Sequence, residues 1–99
     1  MLLGEKISAD DAEKIGMIYK SVPDDTFWNE VNKTAFHLAQ MPTRALWLTK
    51  QALNASMNNT LSEQLELEDE LQSKASKTLD YKEGVNAFLE KRKAEFIGK

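Results

Sequence analysis

The sequence predicts an all-α fold of about five short helices with one short extended segment, and three observations predict it. Apolar residues recur three and four positions apart along most of the 99 residues, the spacing of one helix face. Ser, Thr, Asp or Asn stands ahead of most of these runs, where a helix start is capped. Only four glycines and two prolines interrupt the chain, and no stretch has linker composition or an internal repeat.

The first helix follows Ser8, a good N-cap with Asp11 three residues on, and stops at Gly16. Met17 to Val22 then reads as the extended segment, ended by Pro23. Asp24, Asp25 or Thr26 caps a second helix whose apolar face is Trp28, Val31, Ala35, Leu38 and Ala39. Pro42 closes that helix and opens the next, where its missing N–H costs little. The third helix runs from Thr43 to about Met57. Its four consecutive apolar residues, Ala45 to Leu48, advance ~100° each and so cover most of the circumference. A helix apolar nearly all round is buried on more than one side. In so short a chain, that points to an absent partner. After the turn Asn58-Asn59-Thr60, a fourth helix carries Leu61, Leu65, Leu67, Leu71 and Ala75. The fifth is expected to be capped by Asp80, with Glu83 completing a D-x-x-E box. Its stripe is Val85, Phe88, Leu89 and Phe96, with Arg92 and Lys93 matched to the helix dipole near its end.

Composition excludes several function classes. A hydrophobic content of 41% is too high for a disordered chain. A net charge of -3 lacks the basic footprint of general nucleic-acid binding. With no cysteine, disulfides, zinc–thiolate sites and thiol nucleophiles are out. No apolar run approaches the ~20 residues of a membrane-spanning helix, and the first residues do not form a signal peptide. The expected setting is cytoplasmic, away from membrane and nucleic acid, and the sequons at Asn32, Asn54 and Asn58 then read as chance.

No catalytic constellation is visible, so the catalytic set is empty. His37, the only histidine, lies beside Phe36 with no Ser/Asp pair tied to it and reads as a surface or packing residue. Glu63, Glu66 and Glu70 share a helix face, but one straight helix cannot wrap an ion. That face reads as solvated, with Lys74 paired to Glu70, and no metal site is expected. Trp28 and Trp47 read as structural. Lys91-Arg92-Lys93 is the one basic cluster, and a phosphate could meet it beside Phe88. No G-x-G or G-K-[ST] phosphate loop occurs.

The order of motifs resembles the C-terminal third of the crotonase (enoyl-CoA hydratase/isomerase) superfamily. Leu2-Leu3-Gly4-Glu5-Lys6-Ile7-Ser8-Ala9-Asp10-Asp11-Ala12 is similar to the family's L-x-G-x-x-I-S-A-x-x-A segment. Gly16-Met17-Ile18 with Val22-Pro23, and Pro42 with Thr49-Lys50, follow in the family's order. Asp80-Tyr81-Lys82-Glu83-Gly84-Val85-Asn86-Ala87-Phe88-Leu89-Glu90-Lys91-Arg92 resembles the closing D-x-x-E-G-x-x-A-F-x-E-K-R, and Phe96 with Gly98 its F-x-G end. The resemblance covers essentially the whole chain. Within the superfamily, the stretches from Asn59 to Glu68 and from Asp80 to Val85 look most like the ring-epoxide isomerase branch of phenylacetate degradation.

The resemblance implies that residues 1–99 form a helical oligomerisation and CoA-covering domain. The catalytic ββα-spiral core would then lie N-terminal to residue 1 and carry the oxyanion-hole donors and acid/base groups. It implies trimer or hexamer contacts, acyl-CoA as the parent's substrate, no separate cofactor, and no turnover by this piece alone. On matching positions, Phe88 and Lys91 would sit at the adenine and phosphate end of CoA, where an aromatic ring and an ammonium suit stacking and charge pairing. The apolar third helix would meet the core and other subunits, so the isolated piece is expected to self-associate or to expose an apolar patch. The alternative is a free-standing helical interaction module that binds a protein through the Trp47 helix.

Overall fold

The computed structural model describes Gly4 and residues 6–99, and these divide into two compact units, the first ending at Thr34 and the second spanning Ala35–Lys99. Leu2, Leu3 and Glu5 of the first motif lie outside the described residues. Five helices follow in order: α1 (Ala9–Lys14), α2 (Phe27–Ala39), α3 (Thr43–Ala55), α4 (Leu61–Ala75) and α5 (Leu79–Glu90). None is long and apolar enough to cross a membrane.

In the first unit, the Ser8 hydroxyl oxygen caps α1 by accepting the Asp11 N–H at 3.1 Å. Gly16, at φ +73, ends it: its N–H donates to the Glu13 carbonyl at 3.0 Å and Met17 N–H to the Ala12 carbonyl at 2.8 Å. Those two bonds satisfy carbonyls that the last turn leaves open, in the left-handed turn glycine allows without a Cβ penalty. The extended segment forms no strand. Residues 17–19 bend, the rest is irregular, and the Ser21 N–H is taken by the Glu13 carboxylate at 2.7 Å. A strand needs a neighbouring strand for its ladder, and none exists among the described residues. Before α2, the Thr26 hydroxyl donates back to the Pro23 carbonyl at 3.1 Å instead of capping forward, while the Thr26 carbonyl accepts the Glu30 N–H. Lys20 pairs with Glu30 at 2.7 Å. α2 runs on into the second unit with none of its residues buried, and His37 is exposed near its end.

The second unit is built on the α3–α4 hairpin. Pro42 stands at the N-cap of α3, and α3 ends at Ala55, two residues short of the expected Met57. α4 opens on a capping box in which Glu63 N–H donates to the Thr60 hydroxyl and Thr60 N–H to the Glu63 carboxylate at 2.8 Å. The loop between them is short, so the helices return side by side, with the Gln64 amide donating to the Ala52 carbonyl at 3.1 Å. Leu48 and Leu71 are the buried leucines of this pair, and both line the cleft between its helices. Of the run Ala45 to Leu48 only Leu48 is buried. Trp47 stays 48% exposed, with the Arg44 guanidinium 4.9 Å from its ring centre. On the acidic face, Glu70 accepts from Lys74 at 2.5 Å and Glu68 from Gln64 at 2.8 Å. Among the described residues, no group of three or more His, Asp or Glu side chains is placed to hold a metal ion.

Candidate functional site

The cap of α5 is Thr78, not Asp80: the Thr78 hydroxyl oxygen accepts the Tyr81 N–H at 3.1 Å. That frees Asp80 for another task. Its side chain is buried, and its two carboxylate oxygens accept the N–H groups of Ile97 at 2.7 Å and Gly98 at 2.8 Å. The Asp80 N–H in turn donates to the Lys99 carbonyl at 3.0 Å. The buried charge is held by backbone N–H groups and by the positive end of α5. Glu83 is not the second half of a capping box either. It accepts two parallel bonds from the Arg92 guanidinium, at 2.6 and 2.9 Å, and the Glu95 N–H at 2.9 Å.

Two carboxylates one turn apart thus strap residues 92–99 back along α5. The expected apolar stripe is corrected accordingly. α5 stops at Glu90, so Arg92 and Lys93 lie beyond it, and Phe96 reaches α5 from the returning tail, its ring over Gly84. At the far end, Gly98 has φ +76, and a Cβ built there would lie 2.6 Å from the Thr43 hydroxyl at the start of α3. A side chain at this position would be both strained and in collision.

Between α3, α5 and the tail lies an apolar groove of about 390 Å³, lined by Ala45, Tyr81, Val85, Phe88, Leu89 and Phe96 among others. Phe88 is 82% exposed on it. Lys91 stands three residues on, exposed, where the chain turns off α5. The geometry therefore brings Phe88 to the groove and Lys91 to its helix end. The lining can hold a flat or apolar group, with cationic side chains close along the chain.

The strap carries a pH dependence. The Arg92 fork first, and the Glu95 N–H second, hold the Glu83 carboxyl at about 2, against its ordinary 4.5. A carboxyl lowered on folding contributes stability that is fully present above its unfolded value and fades as pH falls through its folded value. Stability is therefore expected to fall between pH 4.5 and about 2. Glu63 and Glu70 are lowered too, by Thr60 and Lys74 respectively, so the quantity to measure is a difference. Denaturation midpoints of wild type and Glu83→Gln should converge as the pH drops across that window. Parallel curves would show that the fork contributes nothing.

A family model described as enoyl-CoA hydratase/isomerase matches residues 1–99. The chain belongs to the enoyl-CoA hydratase/isomerase family. It is 47% identical over 98 residues to 1,2-epoxyphenylacetyl-CoA isomerase of Escherichia coli, covering 99% of this chain and 37% of that protein. It is 38% identical over 96 residues to the mitochondrial enoyl-CoA hydratase of Pongo abelii, covering 97% of this chain and 33% of that one. The crystal structure of enoyl-CoA hydratase subunit I from Geobacillus kaustophilus superposes with a TM-score of 0.91 at 35% identity, covering 98% of this chain and 38% of that chain. This enoyl-CoA hydratase/isomerase family chain thus spans about a third of the length of the relatives it matches. The resemblance carried by the ordered motifs holds, and the five helices match the helical part of the family's fold.

Sequence reasoning missed Asp80 as the tail's anchor. The available signal was Thr78, a second capping residue two positions earlier, with the tail's Gly98 as the second half of the contact.

Proposed function

We propose that this chain is the C-terminal helical part of an acyl-CoA hydratase/isomerase, supplying subunit contacts and covering the nucleotide end of CoA. The reaction it serves acts on an acyl-CoA thioester through an enolate held by backbone N–H donors. Those donors, and the acid/base groups, belong to the part of the family's length that this chain does not match. Acyl-CoA is the substrate and no separate cofactor is required. The setting is the cytoplasm, and the assembly is a trimer or hexamer. Epoxide isomerisation in phenylacetate breakdown is the favoured chemistry, on the 47% identity to the isomerase.

One observation carries the CoA assignment: an exposed Phe88 on an apolar groove, next to a lysine held in a left-handed turn, φ 55 and ψ 38. Helices commonly end on a residue in this region, usually glycine, and a lysine there costs energy. Phe88 offers a face for the adenine ring, and the Lys91 ammonium a charge for phosphate.

The test is a CoA titration followed by NMR. Shifts at Phe88 and Lys91 are expected, and an α5 that stays silent at millimolar CoA overturns the assignment. The chain alone is expected to turn over no enoyl-CoA. Lys91→Gly separates stability from binding. It should stabilise the unit by roughly 1 kcal/mol, because glycine adopts the left-handed turn without the Cβ cost, while weakening the response to CoA. A destabilised Lys91→Gly protein would contradict the reading of that turn.

A further inference from the structure

Lys91 is the single non-glycine residue with positive φ among the described residues. What holds it there lies on both sides of it. On the helix side, the Lys91 N–H donates to the Phe88 carbonyl at 3.3 Å and the Arg92 N–H to the Ala87 carbonyl at 3.0 Å. On the tail side, the Arg92 guanidinium reaches back nine residues to Glu83 through two parallel bonds, and its Nε donates to Glu90 at 2.5 Å. The same guanidinium donates to the Lys93 carbonyl at 3.2 Å. A forked pair fixes the plane of the group as well as its distance. The chain is therefore tied to α5 immediately before and immediately after Lys91. The turn at Lys91 is set by closure between those ties, against the preference of its own side chain.

The fork also commits Arg92. Of the three adjacent basic side chains, the one best shaped for bidentate phosphate recognition is turned inward onto carboxylates. Among the described residues, neither Lys91 nor Lys93 forms an ion pair, and both are exposed.

We propose that Arg92, gripped by Glu83, is a positioning residue for CoA: it acts on the ligand only through Lys91, by locking the left-handed turn that presents the Lys91 ammonium beside Phe88. This rests on the CoA assignment made above and adds to it the device that orients the lysine.

The experiment titrates CoA into the wild-type chain, Arg92→Gln, Lys91→Gln and the double variant. The turn at Lys91 is read from its amide–Hα coupling. Wild type is expected to show the left-handed turn and a CoA response. Arg92→Gln should lose the turn and bind CoA about tenfold more weakly, whereas Lys91→Gln should keep the turn and bind CoA as weakly. The double variant should bind no more weakly than Lys91→Gln alone, because residues acting through one contact are not additive. Glu83→Gln is run in parallel, since it breaks the fork without leaving Glu83 as an unpaired charge, and the same loss of turn and affinity is expected of it.

An additive double variant would mean that Arg92 touches CoA itself and would overturn the proposal. So would a Lys91 that stays left-handed, or an affinity that stays unchanged, in both Arg92→Gln and Glu83→Gln. A wild-type chain without any CoA response instead removes the CoA assignment, and the positioning role with it. The wild-type titration thus distinguishes failure of the assignment from failure of the positioning role alone.

Discussion

Asp80→Ala is expected to destabilise the Ala35–Lys99 unit by roughly 2 kcal/mol, the range for deleting a buried, charged acceptor whose donors are partly solvent-accessible. Asp80 is only 2% exposed and takes the Ile97 and Gly98 N–H groups at 2.7 and 2.8 Å. Alanine leaves both donors without an acceptor. The chain's escape is to peel the tail off α5 and let water reach them, so the loss is bounded by the free energy of docking residues 92–99. Two measurements resolve how the loss divides. Chemical denaturation reads the cooperative part, and amide exchange at Glu95, Ile97 and Gly98 reads the local part. Asp80→Asn, which keeps one acceptor and turns the other into a donor facing an N–H, should land between wild type and alanine. If the Ile97 and Gly98 amides keep wild-type protection in Asp80→Ala, the strap does not depend on this carboxylate.

Leu48→Ala should cost about 3 kcal/mol, within the range for emptying a buried leucine site. Leu48 is 4% exposed, and the only other buried apolar residues of its unit are Leu71 and Ala87. A unit with so few buried side chains has little redundancy, and a domain's whole stability is only ~5–15 kcal/mol. The expected outcome is a large drop in melting temperature, with α3 and α4 losing helicity together. Leu53→Ala is the control: on the same helix but 64% exposed, it should stay within about 0.5 kcal/mol of wild type. Equal losses from the two variants would mean that the α3–α4 packing described above is not what holds the hairpin.

The parts of this chain that were legible in the sequence are those set by neighbours a few residues apart. Ser8 and Asp11, Gly16, Thr60 and the three- and four-residue apolar spacing all act within one or two turns, and all five helices occur in the stretches that spacing marked, although α3 and α5 end earlier than expected. What misled the reading was contact across a longer stretch. Asp80 and Glu83 fit a capping box as well as Thr78 does, because the pattern asks only for an acceptor followed by an acidic residue. The donors that claim Asp80 lie 17 and 18 residues away, outside any local pattern. Phe96 continued the spacing of Val85, Phe88 and Leu89, yet the turn at Lys91 reverses the chain and brings Phe96 to α5 from the opposite direction. Met17 to Val22, read as extended, forms no strand, and among the described residues no strand is present for it to pair with. The family, by contrast, was legible from motif order alone, because order along the chain does not require knowing which residues touch. Within the candidate site, Phe88 and Lys91 came from that order, while the groove and the strap that shape their surroundings needed the fold.

The strap also sets a timetable. During synthesis Asp80 is made 17 residues before its first partner, Ile97. At ~5–20 residues per second the interval is about one to three seconds, whereas a helix the size of α5 forms in about a microsecond or less. α5 can therefore wind on the ribosome long before its anchor has anything to grip, with the Asp80 carboxylate hydrated and the groove beside Phe88 lacking its Phe96 wall. Residues 92–99 act as a closing pin, and the unit reaches its finished form only when they dock on α5.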